Sequence, residues 1–160
     1  MILAAGLGTR LKPLTDTMPK ALVPVNGQPL LDLNIHRLMG QGYGRFVVNV
    51  HHFAQQIVDH VACQDYTSLV QFSDETSQLL ETGGALKKAQ SLFDPDEPVL
   101  IHNVDIFDDL DSTGFAANIS PTTMPCCWSA DARPSATCFS TTTCAWWDGP
   151  ILRRAKSRVH

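Results

Sequence analysis

Gly6 and Gly8 come directly after a short apolar run, Met1-Ile2-Leu3-Ala4-Ala5, and are followed by Thr9 and Arg10. Two glycines at a strand end let the backbone turn sharply and bring its N–H groups up to an anion with no Cβ in the way. Thr9 adds a hydroxyl donor, and Arg10 a planar cationic fork suited to phosphate oxygens. Pro19-Lys20 returns a second cation to the same neighbourhood. Backbone donors together with an Arg and a Lys are what a di- or triphosphate chain needs. By spacing alone, an ordinary strand-to-helix turn competes with that reading. The third glycine of the dinucleotide fingerprint is missing, and so is the Gly-Lys-Ser/Thr of a Walker A loop.

The elements that must position these groups follow from periodicity. Met1 to Ala5 reads as a buried strand, and Ala21 to Val25 as an extended segment closed by a tight Asn26-Gly27 turn. From Leu30 to Met39, apolar residues recur at helical spacing, and Gly40, Gly42 and Gly44 end that helix. Arg45 to Val50 is a β-branched second strand, and Phe53 to Val61 a helix with Phe53, Ile57, Val58 and Val61 facing inward. Ser68 to Ser73 is a third strand, Glu81 to Leu92 opens on two glycines into a helix, and Pro98 to Asn103 is a fourth strand. Strands alternating with helices imply a parallel sheet, whose ligands gather at the carboxyl ends of the strands. Gly6, Glu81-Thr82 and Asp105 all fall at or after such ends.

At that rim the Asp105 carboxylate can hold Mg²⁺ against phosphate oxygens, with a helix cap as its alternative use. Asp108, Asp109 and Asp111 read as a solvated face or a helix start. His51-His52 is read as loop hydrogen bonding rather than a metal site, because side chains one residue apart rarely face one ion. The glycines opening the Thr82 helix leave N–H groups turned outward at the positive end of its dipole.

A chain of 160 residues is at most one domain, large enough for a hydrophobic core. Its net charge of −4 gives no bulk attraction to nucleic acid or an anionic membrane, so a polyphosphate must be held by local cations. No apolar run approaches the ~18 residues of a membrane span, and no leader opens the chain, so the expected setting is the cytoplasm. Met1 enters the first strand with no lead-in, which reads as a residue or two missing upstream.

The combination Leu-Ala-Ala-Gly-x-Gly-x-Arg, Pro-Leu-Thr, Pro-Lys-x-Leu and Pro-Val-x-Gly-x-Pro-Leu resembles the N-terminus of the sugar-1-phosphate nucleotidyltransferases. The likeness is greatest to the short bacterial N-acetylmuramate-1-phosphate uridylyltransferases and mannose-1-phosphate guanylyltransferases. It runs from Met1 to about Leu110. It implies an α/β fold, a Rossmann-like three-layer sandwich with a mainly parallel central sheet, here truncated. The implied reaction transfers a nucleotidyl group from UTP or GTP to a sugar-1-phosphate and releases pyrophosphate, with Mg²⁺ as cofactor. Residue by residue, the resemblance places Leu3, Ala4, Ala5, Gly6, Gly8 and Thr9 along the nucleotide, with the two glycines and Thr9 cradling the triphosphate. It sets Arg10 on the departing pyrophosphate and Lys20 on the transition-state charge. Glu81, Thr82 and Gly83 then line the nucleobase and ribose, Asn103 reaches the sugar phosphate, and Asp105 carries the metal. The family also takes a second metal carboxylate and much of its sugar pocket from a C-terminal half that has no counterpart in this sequence. A non-catalytic nucleotide-binding remnant is therefore the alternative to an enzyme.

Composition changes near Ser120. Cys126, Cys127, Cys138 and Cys144 and all three tryptophans crowd the last quarter, with spacings that fit neither a zinc site nor a disulfide framework. Joining the wobble base of each codon to the first two bases of the next changes the picture. Trp146-Trp147-Asp148 then forces Val-Gly followed by Trp or Arg, and Pro125 to Arg158 can yield alternating strands and turns. The expected organisation is a nucleotide-binding core over 1–120 and an aberrant, poorly ordered tail over 121–160, from a frameshift between Ser120 and Pro125. A lineage-specific cysteine-rich tail is the alternative.

Overall fold

The computed structural model describes residues 1–95, 97, 99–108, 111 and 112. The tail over 121–160 lies outside the described residues.

Four strands, β1 (Ile2–Leu3), β4 (Phe46–Val50), β5 (Val70–Asp74) and β6 (His102–Asn103), form one parallel sheet in the spatial order β5-β4-β1-β6. A separate antiparallel hairpin joins β2 (Pro24–Val25) to β3 (Gln28–Pro29). Its turn residues Asn26 (φ 50°) and Gly27 (φ 81°) are both left-handed, as a two-residue hairpin turn requires. Helices α1 (Leu30–Gly40), α2 (Ala54–Ala62) and α3 (Thr82–Ala89) occupy the crossovers. Gly42 (φ 91°) ends α1, its N–H donating to Met39 O at 2.9 Å.

Strand alternation splits the core in two. Ile2, Phe46, Val48 and Val50 pack with Ile35 and Leu38 of α1 and Ile57 and Val61 of α2, while Met1 and Val47 pack with Ala85 and Ala89 of α3. Helices therefore cover both faces of the sheet, and every residue of the interior strand β4 is buried. Each fully buried Ile or Val of this set contributes roughly 1.5–3 kcal/mol of transfer free energy.

The order matters for function. β1 is followed in space by β4 and β5 on one side and by β6 on the other, so the strand order reverses between β1 and β6. Ligands of such sheets bind outside the carboxyl ends of the strands at that reversal.

Three local expectations change, and in the third strand Ser68 and Leu69 belong to a 3-10 turn (Thr67–Leu69), so β5 runs over Val70–Asp74 rather than Ser68–Ser73. Ala21 and Leu22 are not extended: with Lys20 they form a single 3-10 turn, closed by Val23 N–H donating to Lys20 O at 3.1 Å. The fourth strand shrinks to His102–Asn103, because β1 offers it only two ladder positions.

Candidate active site

Beyond Leu3 the chain leaves the ladder, and a side chain takes over its support. The Ala4 N–H donates to Asn49 Oδ1 at 2.7 Å, pinning the start of the glycine loop to the end of β4. The loop turns at Gly8, whose φ of +64° is left-handed. A Cβ there would stand 2.8 Å from Thr15 Cγ2 and 3.1 Å from Lys20 Cβ, so glycine is required by conformation and by space together. The Gly8 carbonyl accepts from Thr15 Oγ1 at 2.8 Å and from Leu11 N–H at 2.9 Å. That closes the loop back on the segment leading to Lys20.

The Lys20 stem lies against Gly8 and Gly6, and its Nζ stands 3.0 Å from Asp105 Oδ2. A Cβ on Gly6 would lie 3.5 Å from that same Nζ. Three segments distant in sequence thus meet at the β1–β6 reversal. Asp105 reaches the meeting point because its neighbour Val104 is held from two sides. Val104 N–H donates to Leu3 O at 3.1 Å, and Asn34 Nδ2 of α1 donates to Val104 O at 2.9 Å. Farther along, Arg37 of α1 pairs with Asp108 (2.5 Å), and its Nη2 lies 3.0 Å from His102 Nε2. Burial pushes the His102 pKa below its ordinary value, against the upward pull of Asp108. Asp108 is therefore a half-buried ion-pair partner rather than part of a solvated face.

Among the described residues, no hydrogen bond or ion pair joins the other expected residues to the Lys20–Asp105 pair. Thr9 and Arg10 lie exposed on the turn Thr9–Leu11, and no ion pair holds Arg10 among the described residues. Glu81, Thr82 and Gly83 are exposed at the start of α3, where Glu81 is the extended residue before the helix and its carbonyl accepts from Ala85 N–H at 2.9 Å. Asn103 is exposed at the end of β6, in register with Leu3. Leu3 closes β1, and Ala4 and Ala5, which lead into the glycine loop, are buried. His51 bonds to the Glu75 carbonyl at 2.7 Å, a loop hydrogen bond.

Lys20 with Asp105 leaves a cation and a hard oxygen donor side by side at the rim. Mg²⁺ keeps several waters and takes one or two carboxylates beside phosphate oxygens, so the Asp105 carboxylate fits it as a protein ligand. Among the described residues no three His, Cys, Asp or Glu side chains cluster for a metal. No helix among them is long and apolar enough to cross a membrane.

Sequence reasoning missed Asn34, Asn49 and Glu75, all buried and all polar. The trace they leave in the sequence is a polar residue inside or just past an apolar segment, as in Val47-Val48-Asn49-Val50.

A glycine turn and a paired lysine and carboxylate meet at the reversal of strand order in a parallel sheet, the place where ligands of such sheets bind. The chain belongs to the nucleotidyl transferase family, which it matches over residues 1–126, farther than the Leu110 limit read from the sequence. It is 44% identical over 108 residues to the N-acetylmuramate alpha-1-phosphate uridylyltransferase of Caulobacter vibrioides, covering 66% of this chain and 44% of that protein. It is 39% identical over 114 residues to the enzyme of the same name from Neisseria meningitidis serogroup B, covering 71% of this chain and 49% of that one. The chain therefore spans about half the length of these curated relatives. Among solved structures, HddC from Yersinia pseudotuberculosis complexed with GMP-PN superposes with a TM-score of 0.63 at 35% identity, over 71% of this chain and 50% of that one. UDP-glucose pyrophosphorylase shares the fold, with a TM-score of 0.58 at 20% identity.

Proposed function

We propose that this chain carries the nucleotide-binding half of a sugar-1-phosphate nucleotidyltransferase. A phosphate oxygen of the sugar-1-phosphate attacks the α-phosphorus of UTP or GTP. The new P–O bond forms as the α–β bridge breaks, and pyrophosphate leaves with the bridging oxygen. Such a displacement needs alignment and charge neutralisation more than a protein nucleophile.

The observation that carries the reading is the Lys20–Asp105 pair, 3.0 Å apart against the glycine loop. Gly6, Gly8 and Thr9 offer backbone and hydroxyl donors to the triphosphate. Lys20 neutralises charge that grows on the phosphates, and Arg10, exposed on its turn, follows the departing pyrophosphate. Glu81, Thr82 and Gly83 face the base and ribose, and Asn103 the sugar phosphate. Asp105 would hold Mg²⁺, which when bound supplies charge neutralisation between the phosphates. The substrates set this activity in the cytoplasm.

Incubating the 160-residue protein with UTP or GTP, Mg²⁺ and a panel of sugar-1-phosphates, and following pyrophosphate, tests the proposal. Release with one pair supports it, and that pair identifies base and sugar. A second reading, a nucleotide-binding remnant without catalysis, is favoured by the half-length match to the relatives. Binding without release selects it.

A further inference from the structure

Glu75 is fully buried, yet among the described residues no Lys or Arg pairs with it. Its carboxylate receives two donors of very different origin. Asn49 Nδ2 of β4 donates to Oε1 at 2.8 Å, and the backbone N–H of Leu80 donates to Oε2 at 3.1 Å. The Glu75 backbone is fixed as well, its N–H donating to Val50 O at 2.7 Å and its carbonyl bonded to His51. Asn49 spends its other amide atom, Oδ1, on Ala4 N–H at 2.7 Å. One continuous chain of hydrogen bonds therefore runs from Ala4, where the glycine loop begins, through Asn49 and Glu75 to Leu80, one residue before Glu81-Thr82-Gly83. Leu80 is also seated by packing, because a Cβ on Gly84 would come within 3.1 Å of Leu80 Cβ.

A buried carboxylate is an expensive way to fill space, and an apolar side chain would do it with less desolvation. What a carboxylate supplies here is two acceptor oxygens on one rigid plane, each holding a different loop. The geometry points to Glu75 as a positioning residue that, through Asn49, sets the separation between the glycine loop and the start of α3, the two walls that grip opposite ends of the nucleotide. This inference rests on the nucleotide reading of the site. Glu75 touches no substrate in it and acts only by holding Ala4 and Leu80 at a fixed distance.

The test is Glu75→Gln in the full 160-residue chain. Glutamine keeps the size but turns one acceptor into a donor, so either the Leu80 N–H loses its partner or Asn49 rotates and releases Ala4. Amide exchange of the ligand-free protein is expected to quicken about tenfold or more at Leu80 or Ala4, with Val61 in α2 unchanged. UTP or GTP binding weakens about tenfold while tripolyphosphate, which engages the glycine loop alone, changes less than about twofold. Unchanged exchange at both amides overturns the inference, as does equal weakening of both ligands in step with a fall in overall stability. If the wild-type protein bound neither nucleotide nor tripolyphosphate, the nucleotide reading would fail instead, and exchange at Ala4 and Leu80 would still decide whether the brace exists. Should Glu75→Gln not fold, Glu75→Asp, one methylene too short to reach both donors, is read by the same criteria.

Discussion

Replacing Gly8 by alanine probes the loop on which the site turns, and its cost follows from the surroundings. A left-handed φ of +64° is penalised by about 1–2 kcal/mol once a Cβ is present. The new methyl would meet Thr15 Cγ2 at 2.8 Å, Lys20 Cβ at 3.1 Å and Thr15 Cβ at 3.3 Å. Thr15 cannot swing aside freely, because its hydroxyl is bonded to Gly8 O at 2.8 Å. Overpacking of this kind costs about 1–3 kcal/mol, so Gly8→Ala should destabilise by about 2–5 kcal/mol in all. Urea unfolding followed by circular dichroism measures it. The two contributions separate in a double variant. Thr15→Ser removes the offending methyl and keeps the hydroxyl, so Gly8→Ala/Thr15→Ser should recover about 1–2 kcal/mol and leave the backbone strain in place. A single-variant loss below about 0.5 kcal/mol, or no recovery in the double variant, would refute the account of the loop.

The remaining expectations are shorter. Lys20→Ala and Asp105→Asn should each lower pyrophosphate release about 10²–10³-fold in a stopped assay, with the fold intact by circular dichroism. Ile57→Ala, at a position with 0% exposure between α2 and the sheet, should cost about 2–5 kcal/mol by thermal or urea unfolding. Burial holds His102 below its ordinary value of 6.5, with Arg37 lowering it further and Asp108 opposing. The unfolded chain therefore binds that proton more readily, and the stability that is full above pH ~6.5 should decline as pH falls through the window below it. Melting curves taken across that range should show the decline, and His102→Gln should flatten it. We infer that the tail is read out of frame from a point between Ser120 and Pro125. Sequencing the gene from several isolates tests this, and one uninterrupted frame through His160 would remove it.

The regular elements were legible because they are local. The helical spacing from Leu30 gave α1, the β-branched run gave β4, and Asn26-Gly27 gave its turn. The glycine loop, Lys20 and Asp105 could be found from residue type and motif, and the fold brings them together. What could not be read was anything fixed by a partner far away in the chain. Asp108 looked solvated until α1 supplied Arg37, a contact 71 residues distant. Asn49 and Glu75 looked incidental, because their meaning lies in hydrogen bonds to Ala4 and Leu80 that no window of sequence contains. Ala21 and Leu22 have strand-like neighbours, yet they curl into a turn with Lys20, whose ammonium reaches Asp105 from a distant part of the chain.

The first strand is the hub of the sheet, yet one of its neighbours is made long after it. The bond from Met1 to Leu100 spans 99 positions. During synthesis, the ribosome must deliver the chain as far as His102 before this central strand gains its second flank. Until then the lysine has no acidic counterpart and the crevice has only one side. A product ending before His102 would keep α1, α2 and α3 packed on β4 and still lack the Asp105 partner of Lys20.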